Sequence, residues 1–279
     1  MRVATTIFEL RNSLGELLTP IGLVPTMGYL HEGHLSLVSA AMNDCASVVV
    51  SIFLNPTQFS PEEDLSTYPR NMERDLEKLD KIGVDLVWTP TPDDMYPTNY
   101  QTWVKVERLT QPLEGKYRPG HFSGVTTVVT KLFNAVRPHK AYFGQKDAQQ
   151  VIVIRQMVKD LNMDVDIQTC PTVRDPDGLA MSSRNTYLNR GQRRAAPILF
   201  TALQAARVVY DGGERSAIKL RLLIHKIISS EPLANIQYIS CADADTLEEI
   251  QDKINGRALL SLAVFFGSTR LIDNVLIGD

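Results

Sequence analysis

The hydrophobic residues in the first half of the chain fall into short continuous runs separated by amphipathic stretches. Ile21–Val24 and Ala46–Leu54 (around Val48-Val49-Val50) are such runs, as more briefly are Asp85–Trp88 and Lys140–Phe143, and a further strand is read at Val165–Thr169. Strands with one wet face alternate with a period of two, whereas continuous runs suit strands buried on both faces of a parallel sheet. Between the runs the spacing is helical: Leu35–Met42, Arg70–Lys81 (Met72, Leu76, Leu79 and Ile82 on one stripe), Val125–Val136 and Gln149–Leu161. Repeated β-α units of this length predict an α/β fold with a Rossmann-like, doubly wound parallel sheet.

The character changes after about Arg174. Asp175-Pro176-Asp177-Gly178 reads as a turn, followed by helical stretches at Arg190–Tyr210 and Ser216–Ser230, with Asp211-Gly212-Gly213 stopping the first. Strand-like segments close the chain at Asn235–Cys241, Ala258–Phe266 and Leu271–Ile277. Helices followed by neighbouring strands predict a smaller α+β domain with an antiparallel sheet. The expected division is residues 1–174 and 175–279.

Composition adds exclusions. The chain has 279 residues, 44% hydrophobic and 22% charged, with a net charge of −3. No broad basic field is implied, so nucleic acid is not an expected partner. Cys45, Cys170 and Cys241 are the three cysteines, odd in number and far apart, which argues against a disulfide framework and for a reducing, cytoplasmic setting. The N-terminal residues lack the apolar core of a signal peptide, and no apolar run is long enough to span a bilayer, so no membrane partner is expected.

Candidate chemistry sits where the strands end. The first strand runs into Pro25-Thr26-Met27-Gly28-Tyr29-Leu30-His31-Glu32-Gly33-His34, a strand, glycine turn and helix start. A helix start offers unpaired N–H groups and a positive dipole end, which favour phosphate. His31 and His34, spaced i and i+3, suit donation to charge developing on a triphosphate, and Gly33 admits close approach of a ligand. Two other readings stand beside this one. A metal pair is one, although His-Glu-Gly-His is not His-Glu-x-x-His and has no evident third ligand; two structural histidines is the other.

Asn55-Pro56-Thr57-Gln58-Phe59, Gly144-Gln145-Lys146-Asp147 and Met181-Ser182-Ser183-Arg184 are the other polar clusters. Lys146 supplies a point charge for phosphate and Asp147 a carboxylate for a ribose, or else an N-cap. Ser182, Ser183 and Arg184 suit phosphate oxygens, or else cap a turn. Gln58, Gln149 and Gln150 are neutral hydrogen-bonding groups suited to a hydroxy acid, and Arg118-Pro119-Gly120-His121-Phe122 is a loop carrying a guanidinium. Ligands of open α/β sheets bind beyond the carboxyl ends of the strands, so the convergence of these clusters matters more than any one of them. His139 and His225 have no such context.

These runs, together with Ser51-Ile52-Phe53-Leu54, Tyr68-Pro69-Arg70 and Arg270-Leu271-Ile272-Asp273-Asn274, resemble pantothenate synthetases (pantoate–β-alanine ligases) over essentially the whole chain. The resemblance implies a Rossmann-like domain of the nucleotidylyltransferase superfamily with a small C-terminal lid domain covering the active site, and a homodimer. It implies that ATP activates pantoate as pantoyl adenylate, which β-alanine converts to pantothenate. His34, His31, Lys146 and Arg184 are the implied catalytic residues. Met27 to His34, Gly144 to Asp147, Val173 (by its backbone, to adenine) and Met181 to Arg184 are the implied ATP contacts. Gln58, Gln150, Pro25, Thr26, Asn55 and Arg118 are the implied substrate contacts. Mg²⁺ is expected to arrive with the triphosphate, with no protein ligand named. Two alternatives are another nucleotidyltransferase, which need not have the Gln58 and Gln150 pair, and a non-catalytic nucleotide-binding module.

Overall fold

The computed structural model describes Met1 to Gly278 and divides into two compact units. Residues 1–145 and 150–171 form the first, and residues 146–149 and 172–279 form the second. The first unit alternates as the hydrophobic pattern requires. Its strands are β1 (Arg2–Ala4), β2 (Ile21–Thr26), β3 (Ser47–Ile52), β4 (Leu86–Trp88), β5 (Lys140–Gly144) and β6 (Asp166–Cys170). Its helices are α1 (Ile7–Leu14), α2 (Glu32–Asp44), α3 (Met72–Ile82), α4 (Pro92–Met95), α5 (Glu114–Tyr117), α6 (His121–Val136) and α7 (Ala148–Asp160), the last beginning in residues grouped with the second unit.

All pairings in this sheet are parallel and the strand order is β1-β4-β3-β2-β5-β6. β3 is buried along its whole length, as expected for a continuous Ser-Val-Val-Val-Ser-Ile run covered on both faces. Each fully buried valine contributes about 1.5–3 kcal/mol by leaving water. Separate apolar clusters cover the two faces, one including Leu23, Val49 and Phe143, the other Val24, Val50 and Tyr142.

The pattern gave no sign of β1 and α1. β1 is only three residues long, too short for a periodicity, but Thr6 and Glu9 form a reciprocal capping box that marks the start of α1.

The second unit holds an antiparallel sheet of β7 (Ala234–Asp243), β8 (Ala258–Phe266) and β9 (Thr269–Ile277) in sequence order. Its helices are α8 (Arg190–Ala195), α9 (Ile198–Asp211) and α10 (Ala217–Ile228). The stretch read as a single helix over 190–210 is two, because Pro197 has no N–H to continue the first. Among the described residues, no helix is long and apolar enough to cross a membrane.

Candidate active site

The sheet reverses its winding direction at β2, which lies between β3 and β5. The β2–β3 ladder runs up to Thr26 and Ile52, and the β5–β6 ladder up to Gly144 and Cys170. Between β2 and β5 only two pairs form, Gly22 with Lys140 and Leu23 with Ala141. Beyond them the two central strands separate at their carboxyl ends, which is the topological switch point where α/β proteins bind ligands. Val24 to Thr26 and the turn that follows lead out of this opening.

That turn ends on His31, the N-cap of α2, with an extended backbone. Its ring Nδ1 accepts from Gly33 N–H at 3.1 Å, and the ring Nδ1 of His34 accepts from His31 N–H at 3.3 Å. The two imidazoles therefore form a reciprocal capping box, with ring centroids 4.0 Å apart. A neutral ring that accepts at Nδ1 carries its proton at Nε2, so both rings are fixed as Nε2–H donors. The expectation of a phosphate cradle of backbone N–H groups changes accordingly. The Gly33 N–H is taken by the His31 ring, and the His34 N–H goes to His31 O at 2.8 Å. Two of the first N–H groups of α2 are thus used inside the turn, and the imidazole edges join the donors it carries.

The residues before His31 are held from α3. Gly28 and Tyr29 are both left-handed, φ +84° and +52°. Asp75, only 1% exposed, accepts from Tyr29 N–H at 2.6 Å and Leu30 N–H at 2.8 Å. Thr26 ties the end of β2 to β3 through a 2.8 Å bond to Ser51 O, and Pro25 precedes it in the strand. Glu32 is exposed.

A second group centres on Gln58. Asn55, 1% exposed, donates to Gln58 Oε1 at 3.0 Å and to Gly124 O at 3.2 Å. Its Oδ1 accepts from the hydroxyls of Thr57 and Tyr96 at 2.9 Å each. Gln58 Nε2 lies 3.1 Å from Met27 Sδ. The amide of Gln58 is thus aimed, carbonyl towards Asn55 and NH₂ towards Met27. Its backbone carbonyl meets Nδ1 of His121 at 2.8 Å. Burial pushes the His121 pKa down to about 4, helped by the charge of Arg118 and opposed by the bond to Gln58 and by Glu114 and Glu63. The ring is therefore neutral and donates from Nδ1, leaving Nε2 to accept from Arg118 Nη1 at 3.1 Å. Arg118 also grips Glu63 with two bonds, 2.5 and 3.2 Å. Burial disfavours the Glu63 carboxylate, but the Arg118 bond and charge outweigh it and hold its pKa below the usual range. Arg118, expected at the substrate, has its guanidinium committed to Glu63 and His121.

In the second unit, Lys146 Nζ lies 3.2 Å from Asp147 Oδ1, and the Lys146 carbonyl accepts from Asn274 Nδ2 of β9 at 2.8 Å. Val173 O accepts from Met181 N–H at 3.0 Å. Ser182 caps the short turn Ser183–Tyr187 by accepting from Arg184 N–H at 3.3 Å, and Ser183 is buried. Arg174 makes a bidentate pair with the buried Asp273, 2.6 and 2.8 Å. In the first unit, Gly144 ends β5, Gln145 follows it, and Gln150 lies in the first turn of α7, half-buried.

The family model for pantoate–β-alanine ligase matches residues 2–276. The chain belongs to this family. It is 55% identical over 277 residues to the pantothenate synthetase of Roseiflexus castenholzii, covering 99% of each chain. The crystal structure of pantothenate synthetase from Thermus thermophilus superimposes with a TM-score of 0.94 at 44% identity, with 99% of each chain covered. A third relative is the pantoate–β-alanine ligase of Francisella tularensis complexed with beta-gamma ATP and beta-alanine, with a TM-score of 0.82, 36% identity, and 99% and 97% covered. This chain is accordingly an enzyme of the ligase class.

In this pantoate–β-alanine ligase three contacts come from far along the chain, and of the three side chains that make them the sequence had placed only His121, in a candidate loop. Asp75, Glu63 and His121 act on Tyr29, Arg118 and Gln58 across 46, 55 and 63 residues. For Asp75 the local signal is its placement, a charge between the apolar positions Met72 and Leu76. Among the described residues, no group of three or more His, Cys, Asp or Glu side chains is placed to hold a metal.

Proposed function

We propose that this chain makes pantothenate from pantoate, β-alanine and ATP through pantoyl adenylate. A pantoate carboxylate oxygen attacks the α-phosphorus of ATP, and the bond to the bridging oxygen breaks to release pyrophosphate. The amine of β-alanine then attacks the acyl carbon and gives up a proton, and AMP departs with the carbon–oxygen bonding pair. A carboxylate is a poor electrophile, so the first step converts it to a mixed anhydride with a good leaving group. The protein's part is to orient the reactants and keep water from the anhydride.

The observation that carries this reading is the pair of neutral imidazoles locked as Nε2–H donors at the end of β2. Donors fixed in place before reaction stabilise charge growing on phosphate oxygens without reorganising. In this reading His34 is the principal stabiliser and His31 its neighbour, within an ATP segment from Met27 to His34. Gly144 to Asp147, with Lys146 at phosphate and Asp147 at ribose, are further ATP contacts. So are Val173 by its backbone and Met181 to Arg184. Gln58 and Gln150 bind pantoate, and Gln58 also meets β-alanine. Pro25, Thr26 and Asn55 shape that end of the site, and Arg118 acts through His121 and Glu63. Mg²⁺ enters bound to the triphosphate. The same reading includes two domains, residues 1–174 and 175–279, a homodimer and a cytoplasmic location.

The test is pyrophosphate release from ATP with and without each acid. Release that requires pantoate but not β-alanine, and stops in EDTA, is the expected result. Folded protein that releases none would refute the reading, and a monomeric mass by sedimentation would remove the dimer.

A further inference from the structure

We propose that Asp75 is a positioning residue for adenylation: it holds the turn before His31 so that His31 and His34 start in donor geometry. The proposal rests on the phosphate role given to the two histidines above.

A carboxylate 1% exposed is costly to bury unless its oxygens are well paired. Those of Asp75 are paired with two consecutive backbone N–H groups, Tyr29 and Leu30, at 2.6 and 2.8 Å. These are the two residues immediately before the His31 cap. The same helix takes hold of the turn twice more. Lys78, one turn along from Asp75, donates to Leu30 O at 2.7 Å, and the Arg74 guanidinium lies 5.2 Å from the Tyr29 ring centroid. The turn needs such a hold. Gly28 and Tyr29 are consecutive left-handed residues, a conformation that costs a tyrosine free energy unless its surroundings enforce it. A Cβ at Gly28 would lie 3.2 Å from Asp75 Oδ2, so the carboxylate sits directly against the turn.

Two consequences follow. The N–H groups of Tyr29 and Leu30 serve an internal carboxylate and not a ligand phosphate. The direction in which α2 begins, and with it the pair of mutual ring caps, is set from α3. An asparagine at 75 keeps one acceptor oxygen and turns an NH₂ group towards the other N–H. The turn would then be held by one bond, and the His31 and His34 rings would lose their single tautomer.

The experiment is Asp75→Asn in the full-length enzyme, with His34→Ala in parallel. Three readouts are taken: steady-state pantoate-dependent pyrophosphate release, the folded fraction by circular dichroism, and long-range ¹⁵N–¹H spectra of the histidine rings. The expected result is a folded protein whose kcat/KM for ATP falls about tenfold or more, with KM for pantoate within about twofold of the parent. The spectra should show Nε2–H rings in the parent and mixed tautomers in Asp75→Asn. Unchanged kcat/KM, a loss that merely follows the folded fraction, or unaltered tautomers would each overturn the role of Asp75. If His34→Ala also adenylates normally, the phosphate reading itself fails; if only His34→Ala loses activity, the Asp75 role falls alone. Should Asp75→Asn not fold, Lys78→Met loosens the same turn at Leu30 O. A fall of about threefold in kcat/KM for ATP is then expected, and a normal value overturns the proposal.

Discussion

His121 gives the chain a sensitivity to mild acid that can be calculated from the structure. Its ring is buried between Gln58 O and the Arg118 guanidinium, and its pKa is lowered from 6.5 to about 4. Above pH 6.5 the ring is neutral in both folded and unfolded chains and contributes no pH dependence. Between pH 6.5 and 4 the unfolded chain takes up a proton that the folded chain refuses, so stability falls as pH falls. At one pKa unit to about 1.36 kcal/mol, the loss reaches about 2 kcal/mol at pH 5 and levels off below pH 4 at about 3 kcal/mol. His121→Phe keeps a neutral ring and removes the titration. The variant loses the bond to Gln58 O and starts about 1–3 kcal/mol less stable at pH 7.5. The gap between parent and variant should then narrow by about 2 kcal/mol on going to pH 5. Urea unfolding followed by tryptophan fluorescence is the assay, since Trp88 and Trp103 both lie in the unit that holds His121. Subtracting the variant cancels groups that titrate equally in both proteins, the paired carboxylate Glu63 excepted because its partner Arg118 touches the substituted ring. A gap that stays constant between pH 7.5 and 5 would refute the depressed pKa and the neutral donor role drawn from it.

Three other substitutions probe separate points. His34→Ala should lower pantoate-dependent pyrophosphate release by about 10²–10³-fold if its ring stabilises transition-state charge, and undiminished release would reject that role. At Gly124 an added Cβ would sit 2.5 Å from Thr57 O and 2.7 Å from Gln58 Cα. Gly124→Ala should therefore cost about 1–3 kcal/mol in urea unfolding and raise KM for pantoate, even though alanine favours a helix; an equal or more stable protein with normal KM would show that the turn can yield. Asp273 is 2% exposed, so Arg174→Met leaves a buried charge without its bidentate partner and should cost about 3–5 kcal/mol. Combining Arg174→Met with Asp273→Leu removes the stranded charge as well and should restore part of that loss; hydrogen exchange of β9 amides measures both, and equal protection in the single and double variants would contradict the account.

Several features were legible along the chain because they depend on near neighbours. Continuous apolar runs at 46–54 and 141–143 need cover on both faces, which fixes a parallel sheet with helices on either side. The amphipathic stripe at Leu76, Leu79 and Ile82 and the three closing strands followed from period alone, although Met72, placed on the same stripe, is exposed. The strand-end clusters followed too, since polar and glycine-rich residues after a buried strand have to lie at its exposed carboxyl end. The family resemblance rests on these same clusters, and the match over residues 2–276 agrees with it.

Tertiary structure decided what each cluster's atoms do. An i, i+3 spacing places two histidines near one another, but only the turn's entry angle makes His31 the cap and His34 its reciprocal partner. That angle is set by Asp75, 46 residues from Tyr29. The charge of Arg118 suggested an anion contact, and Glu63, 55 residues away, is what occupies it. Periodicity reports which face of an element is buried. It carries no information about which distant carboxylate or carbonyl will meet a given N–H, because that pairing exists only once the sheet has brought the loops together. The sequence by itself determined the scaffold and the chemical types at its edge; the folded chain determined which donors those residues still have to offer a substrate.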